Sequence, residues 1–352
     1  MTEPAIYGLD LFGEPLKPAS RGPLADEFVV PPFSVFDARQ GFWQERKRAW
    51  LSLGIQSELG RTAATYAIGD KAEWDASKTA VSQRLAPGGG GGGCWIGGPK
   101  TDSTEKFTKG NKLGFSSTIT DMGRAASTDA GTSVFDPVLC ELAYRWFCPT
   151  AGLVLDPFAG GSVRGIVAAL LGRRYYGIDL SAGQLEANRE QAEAICPEAA
   201  RLEWHAGDAA DLLPEAPEAD FIFSCPPYGD LERYSDDPVD LSTMEWHTFC
   251  ANYKRIIMRA AKRLKPNRFA CFVVGNYRGR DGCYRDLVGA TIAGFADQGM
   301  ALYNDAVLVT AVGSLPIRVG KQFRSGRKLG KTHQNALVFV KGDWRKAAKA
   351  AS

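Results

Sequence analysis

One stretch places an acid, a proline and two glycines where a ligand could be gripped. It runs from Gly152 to Gly165, G-L-V-L-D-P-F-A-G-G-S-V-R-G. Leu153-Val154-Leu155 is apolar with a β-branched centre and reads as a buried strand ending at Asp156. Pro157 removes a ladder donor, and Gly160-Gly161 lets the chain turn sharply. Ile166 to Leu171 then reads as an apolar helix. A strand, a glycine turn and a helix open a nucleotide-binding α/β unit. An acid at the strand end would repel a bare phosphate, so the turn suits a ligand that brings an ammonium or a sulfonium. The spacing is neither G-x-G-x-x-G nor a phosphate loop ending in G-K-[ST]. A plain structural turn is the competing reading.

Three further sites follow in order. Arg174 to Leu180 reads as a second strand ending at Asp179, about 20 residues beyond the first acid, where a carboxylate can accept hydrogen bonds from ribose hydroxyls. Leu202 to Asp208 reads as a third strand, again ending in an acid. Asp220 to Ser224 is a fourth and runs into Cys225-Pro226-Pro227-Tyr228. Strand-end capping is the bland reading of Asp179 and Asp208.

These turns need a scaffold. Asp136-Pro137 starts a helix whose Val138, Leu139, Leu142, Ala143 and Trp146 fall at helical spacing. A helix is expected over Ala182 to Ile195 and a longer one from Met244 to Leu264, with further strands at Phe269 to Val274, Val307 to Thr310 and Asn335 to Lys341. Strands alternating with helices predict an α/β, Rossmann-like sheet, mostly parallel with its last strand antiparallel, helices on both faces and ligands at the carboxyl edge. The polar loop Gly229 to Asp240 is expected to wall a pocket.

Flanking regions divide the chain. Residues 1–26, rich in Pro and Gly, read as a flexible arm. Residues 27–86 read as a basic helical appendage, with Phe42, Trp43, Trp50, Leu51 and Leu53 on its apolar positions and Arg46, Lys47 and Arg48 as a basic cluster. Residues 87–131 read as a flexible loop, because six glycines at 88–93 cannot hold a regular element. The main domain spans 132–346, and 347–352 is a tail. Between Val312 and Gln334 the expected basic loop carries Arg318, Lys321, Arg324, Arg327, Lys328 and Lys331 without one acid, an excess that can bind phosphates. Solvated cationic faces are the alternative for both basic clusters.

Composition excludes more than it asserts. The chain has 352 residues, a formal net charge of +2 and 45% hydrophobic residues, ordinary for a globular protein. No run is apolar enough to span a membrane, and no secretory leader pattern is read at the N-terminus. The eight cysteines show no C-x-x-C pair and the three histidines no metal-ligand spacing, so neither a disulfide framework nor a metal site is expected, and the cytoplasm is the expected compartment.

Taken together, Asp156-Pro157-Phe158-Ala159-Gly160-Gly161, Asp179, Asp208 and Cys225-Pro226-Pro227-Tyr228 resemble the ordered motifs of the S-adenosylmethionine-dependent DNA amino-methyltransferases of bacteria and their phages. The resemblance covers about residues 133–342, and the F-D-P-V-L-C-E-L segment resembles that family's cofactor-lining helix. It implies a methyltransferase fold, S-adenosylmethionine as cofactor and double-stranded DNA as partner, in a monomer or dimer, with or without a restriction partner. It implies transfer to adenine N6 in preference to cytosine N4, the base staying open. By resemblance, Phe135, Asp136, Asp156, Pro157, Phe158, Ala159, Gly160, Gly161, Ser162, Asp179, Leu180, Asp208 and Ala209 would hold the cofactor. Ser224, Cys225, Pro226, Pro227 and Tyr228 would be catalytic, the main chain after Cys225 accepting the amine's hydrogens and Tyr228 stacking on a flipped base. The six cations of the 312–334 loop, with Arg46, Lys47 and Arg48, would bind DNA. Position 225 departs from the family, which has Asp, Asn or Ser there; a thiol is a weak acceptor. An RNA or protein-amide methyltransferase of this fold, or a DNA-binding protein without turnover, are the rival readings.

Overall fold

Apolar strings such as V-L-D and D-F-I-F-S have no polar alternation, so their strands must be covered on both faces. A computed structural model describes residues 23–56 and 135–352, apart from 198, 232 and 314. The arm up to residue 22, the rest of the appendage and the glycine-rich loop lie outside the described residues. The first described segment holds α1 (Pro23–Phe28), β1 (Val35–Asp37) and α2 (Gly41–Leu51). After α3 (Pro137–Phe147) come β2 (Leu153–Asp156), α4 (Val163–Leu170), β3 (Arg174–Asp179), α5 (Ala182–Ile195), β4 (Leu202–Ala206), α6 (Ala209–Leu212) and β5 (Ala219–Ser224). Then follow α7 (Trp246–Arg263), β6 (Leu264–Val274), the hairpin β7 (Tyr277–Arg278) and β8 (Tyr284–Arg285), and α8 (Leu287–Ala296). The chain closes with β9 (Ala301–Val309), α9 (Leu315–Gly326), β10 (His333–Lys341) and α10 (Trp344–Ala351).

Eight strands form one sheet in the order β1-β9-β10-β6-β5-β2-β3-β4. Only β10 runs against the others, pairing antiparallel with both β6 and β9. This is the Rossmann-like arrangement expected, mostly parallel with the last strand antiparallel, extended at one edge by β1. The chain leaves β2 for β3 and β4 on one side and returns to β5 on the other, with Leu155 opposite Ile222. That reversal opens a crevice at the carboxyl ends of β2 and β5, where open α/β sheets bind ligands.

The two-residue period of the strands builds two cores. Val154, Phe221, Phe223, Phe269 and Val338 face a layer with Tyr144, Ile166 and Ala347, while Leu155, Ile222, Phe272 and Phe339 face Tyr253, Ile257 and Phe295. Asp136 caps α3 by accepting from the Val138 N–H at 3.0 Å, with Pro137 as its first residue.

Three local expectations change. Residues 35–37 are not outside the sheet: β1 pairs parallel with β9, and α2 packs on α3. The tail at 347–352, expected as the end of a frayed helix from Trp344, is helical to Ala351 and differs in being docked, Ala347 being buried in the core. The basic loop is no loop throughout, since it contains the twelve-residue helix α9.

Candidate functional site

The turn after β2 is held together by charge. Asp156 is fully buried and accepts from Arg164 Nε at 2.6 Å, Tyr175 Oη at 2.7 Å, Ser224 Oγ at 2.5 Å and the Phe158 N–H at 3.1 Å. Arg164 also donates to the carbonyls of Phe158 and Ala159, so one guanidinium ties the strand end to the turn. Burial is the largest single influence on the Arg164 charge and works against it, but the Asp156 carboxylate, with Tyr175 and Cys225 beside it, together raise the guanidinium above its ordinary value. Its carbon lies 4.7 Å from the centre of the Phe135 ring. Asp156 therefore does not face a ligand; it is the anchor of the turn. Ser224 is likewise buried and committed to that carboxylate, and Ala159 and Ser162 are buried too, Ser162 donating to Gln191 at 3.2 Å. These four were expected at the ligand; all are fully buried and none lines the cavity into which the turn opens.

Gly160 carries the turn with φ +50, a conformation L side chains rarely adopt. Its N–H donates to Asp179 at 2.9 Å and its carbonyl accepts from Asn188 at 2.7 Å. Asp179 also accepts from the Ser181 N–H at 2.9 Å. Burial pushes its carboxyl above the ordinary value, against the lowering by those two N–H groups. Each carboxylate oxygen retains a further acceptor site, since an ionised carboxylate offers about four in all. Leu180, beside it, is a large apolar side chain left exposed. Asp208 caps α6 through Ala210, with its second oxygen 3.8 Å from Arg255.

The Cys225-Pro226-Pro227-Tyr228 turn leaves β5 directly opposite. Tyr228 receives a hydrogen bond from Gln334 Nε2 at 2.6 Å and meets Tyr277 edge-on, 6.3 Å between ring centres. Its carbonyl accepts from Leu231, which closes the turn. Gly229 has no alternative there, because a β-carbon would sit 2.1 Å from the Tyr277 hydroxyl.

Both turns open into one cavity of about 710 Å³. Its wall includes Phe135, Asp136, Pro157, Phe158, Gly160, Gly161, Asp179, Leu180, Asp208 and Ala209 of the expected cofactor set, and Cys225, Pro226, Pro227 and Tyr228 of the expected catalytic set. Tyr234, Ser235, Asp237 and Asp240 supply the wall expected of the 229–240 loop. Arg164, Gln184 and Gln334 also line it. An arginine in an otherwise apolar helix, eight residues past a buried acid, was a readable signal for the first; nothing local marked Gln334.

The expected DNA contacts divide. Arg46 pairs with buried Glu141, donating through Nε at 2.6 Å, and Trp50 and Arg145 donate to the same carboxylate. These partners hold the Glu141 carboxyl below its ordinary value although burial alone would raise it. Lys47 lies 3.4 Å from Asp136 and lines the cavity. Arg46 and Lys47 thus join the N-terminal segment to α3, and Arg48 alone of the three is exposed. Arg318, Lys321, Arg324 and Arg327 are exposed, while Lys328 and Lys331 are half-buried. None of these six forms an ion pair among the described residues, and burial lowers the Lys331 ammonium from its ordinary value.

Among the described residues no cluster of His, Cys, Asp and Glu could hold a metal ion, and no helix is long and apolar enough to cross a membrane. Neither a protein-family model nor a curated protein sequence matches the chain. Similar solved structures include TrmN from Thermus thermophilus, 22% identical over 58% of this chain and 48% of that one, TM-score 0.41. Magnesium protoporphyrin IX methyltransferase from Synechocystis PCC 6803 is 13% identical over 65% of this chain and 93% of that one, TM-score 0.39. A precorrin-6y C5,15-methyltransferase from Geobacter metallireducens is 13% identical over 62% and 94%, TM-score 0.39. The chain spans about half the length of TrmN, and likenesses this distant carry no substrate or cofactor across.

Proposed function

We propose that this chain transfers a methyl group from S-adenosylmethionine to an exocyclic amino nitrogen of a DNA base, adenine N6 ahead of cytosine N4. The observation that carries the reading is the single cavity joining the Gly160 turn to Tyr228, with Asp136, Asp179, Asp208, Asp237 and Asp240 in its wall. The two cations in that wall, Lys47 and Arg164, each face a carboxylate. Such a wall favours a positively charged ligand and opposes a polyphosphate. The volume falls within the range of about 300–1,000 Å³ for small-ligand sites.

The residues suit the cofactor. Asp179 has acceptor capacity for ribose hydroxyls, exposed Leu180 offers an apolar plate for a purine, and side-chain-free Gly160 lets the backbone approach closely. When bound, the cofactor supplies an electrophilic methyl group on a sulfonium and leaves as a neutral thioether. The nitrogen lone pair forms the new N–C bond as the S–C bond breaks. The methylated nitrogen, now cationic and acidic, gives its proton to solvent, so no strong base is needed from the protein and positioning carries the rate. Tyr228, its hydroxyl held by Gln334 and its edge by Tyr277, gives an aromatic face for a base turned out of a duplex. Pro226 and Pro227 fix the main chain that accepts from the amine. Cys225 contributes shape more than hydrogen bonding, as a thiol is a weak acceptor.

Labelled-methyl uptake from S-adenosylmethionine into duplex DNA, RNA and protein tests this directly. DNA labelling, with N6-methyladenine or N4-methylcytosine on nucleoside analysis, is the expected result. Label in RNA or protein alone would refute it.

A further inference from the structure

Helix α9 has no buried residue, and the chain on either side of it, at Thr310, Ala311 and Gln334, lines the candidate site. Its excursion leaves the sheet after Val309 and returns at His333, and the adjoining Thr310 and Gln334 line the cavity. The base of the excursion is pinned, Thr310 donating to the Thr332 carbonyl through its N–H at 2.9 Å. Gln334 then holds the Tyr228 hydroxyl. On the helix, Ile317, Lys321 and Arg324 stand at i, i+4 and i+7, and so share one face, with Arg318 at its edge. All four are exposed, and Ile317 is 84% exposed. A large aliphatic side chain placed among cations faces water at a cost unless something covers it. The cations, none of them paired among the described residues, select an anionic cover.

Resting on the DNA reading above, we infer that the outer face of α9 docks on duplex DNA and that Ile317 wedges into the base stack, filling the gap left by the base that Tyr228 receives. The partner's chemistry follows from the face. Lys321, Arg324 and Arg318 suit phosphates, whereas an aliphatic side chain between them suits the space between base pairs. A helix enters the wide major groove of B-form DNA but not the deep, narrow one of A-form RNA. A flipped base leaves a stacking vacancy that costs a few kcal/mol in a duplex, and a strand without a partner has none to fill.

That difference gives the test. Methyl uptake is measured with sheared bacterial chromosomal DNA, once as duplex and once heat-denatured. Ile317→Ala should lose about tenfold or more of the duplex rate and stay within about twofold on denatured DNA. Ile317→Leu should restore the duplex rate. Ile317→Lys should bind duplex DNA at least as tightly by fluorescence anisotropy and still methylate it as poorly as the alanine variant, which separates wedging from phosphate docking. Equal loss on both DNA forms, or no loss on duplex, overturns the wedge while leaving wild-type DNA labelling intact. Label in RNA with none in either DNA form overturns the DNA reading together with this one. Ile317 is exposed, so the variants should fold as wild type does.

Discussion

The guanidinium of Arg164 and the carboxylate of Asp156 form a buried ion pair at 2.6 Å, and the same guanidinium holds two carbonyls of the glycine turn. The turn is therefore shaped from behind by a side chain that follows it in sequence. Removing the cation would leave a buried carboxylate opposite only Tyr175, Ser224 and one N–H. Arg164→Ala should lower folding stability by about 3–5 kcal/mol in denaturant titration. Arg164→Lys should recover only part of this, because an ammonium lacks the planar fork that serves three acceptors at once.

Asp179 should make cofactor binding depend on pH. Its folded carboxyl is raised by burial above the ordinary 3.8, so acid protonates it sooner than an exposed aspartate. The protonated form loses acceptor capacity toward ribose hydroxyls. Affinity for S-adenosylmethionine, read by calorimetry, should be full above the raised value and fall as pH drops through it. Asp179→Asn should bind more weakly and lose that pH dependence. The stability sign is opposite: with its folded value raised, Asp179 favours folding more when protonated, so its own contribution to stability falls as pH rises through that value.

Tyr228 combines a stacking face with an anchored hydroxyl. Tyr228→Ala should cost about 1–3 kcal/mol of base stacking, roughly 5- to 150-fold in kcat/KM for methyl transfer. Tyr228→Phe keeps the ring and removes the Gln334 hydrogen bond, and should cost about 0.5–1.5 kcal/mol. DNA labelling unaffected by the alanine change would break the assignment of this turn.

Glu141 joins the N-terminal segment to α3 through Arg46, Trp50 and Arg145. Its folded carboxyl is depressed below the ordinary 4.5. Its contribution to stability is thus complete above that value and lost as pH falls through the lower, folded one. Glu141→Ala should destabilise by about 3–5 kcal/mol and expose the segment around Trp43 and Trp50 to hydrogen exchange. A variant that keeps wild-type protection there would show the joint to be dispensable.

Cys225 offers a sharper chemical choice. If the main chain does the accepting, Cys225→Ala should retain methyl transfer within about tenfold, since little hydrogen bonding is removed. A nucleophilic thiol would instead make the alanine variant inactive and leave a covalent adduct detectable by intact mass.

Much of the fold was legible because it rests on local pattern. Uninterrupted apolar runs ending in Asp156, Asp179 and Ser224 identify strands buried on both faces, and Asp136-Pro137 marks a helix start through capping chemistry. Other elements had no such pattern. Three residues of β1 form a strand only because the free edge of β9 accepts them. Helix α9, carrying Pro316 and Gly320 and burying nothing, has the composition of a loop.

The sequence by itself determined which residues end the strands, and so which turns lie along the carboxyl edge of a parallel sheet. Only the tertiary structure decided which of their side chains face the cavity. A strand-end acid reads the same whether it meets a ligand or a buried arginine. Asp156 became the anchor because α4, β3 and β5 converge on it with Arg164, Tyr175 and Ser224, while Asp179 kept acceptor capacity because its partners are backbone N–H groups. A buried charge must be paired, and the partner that pairs it is a property of packing, not of spacing along the chain.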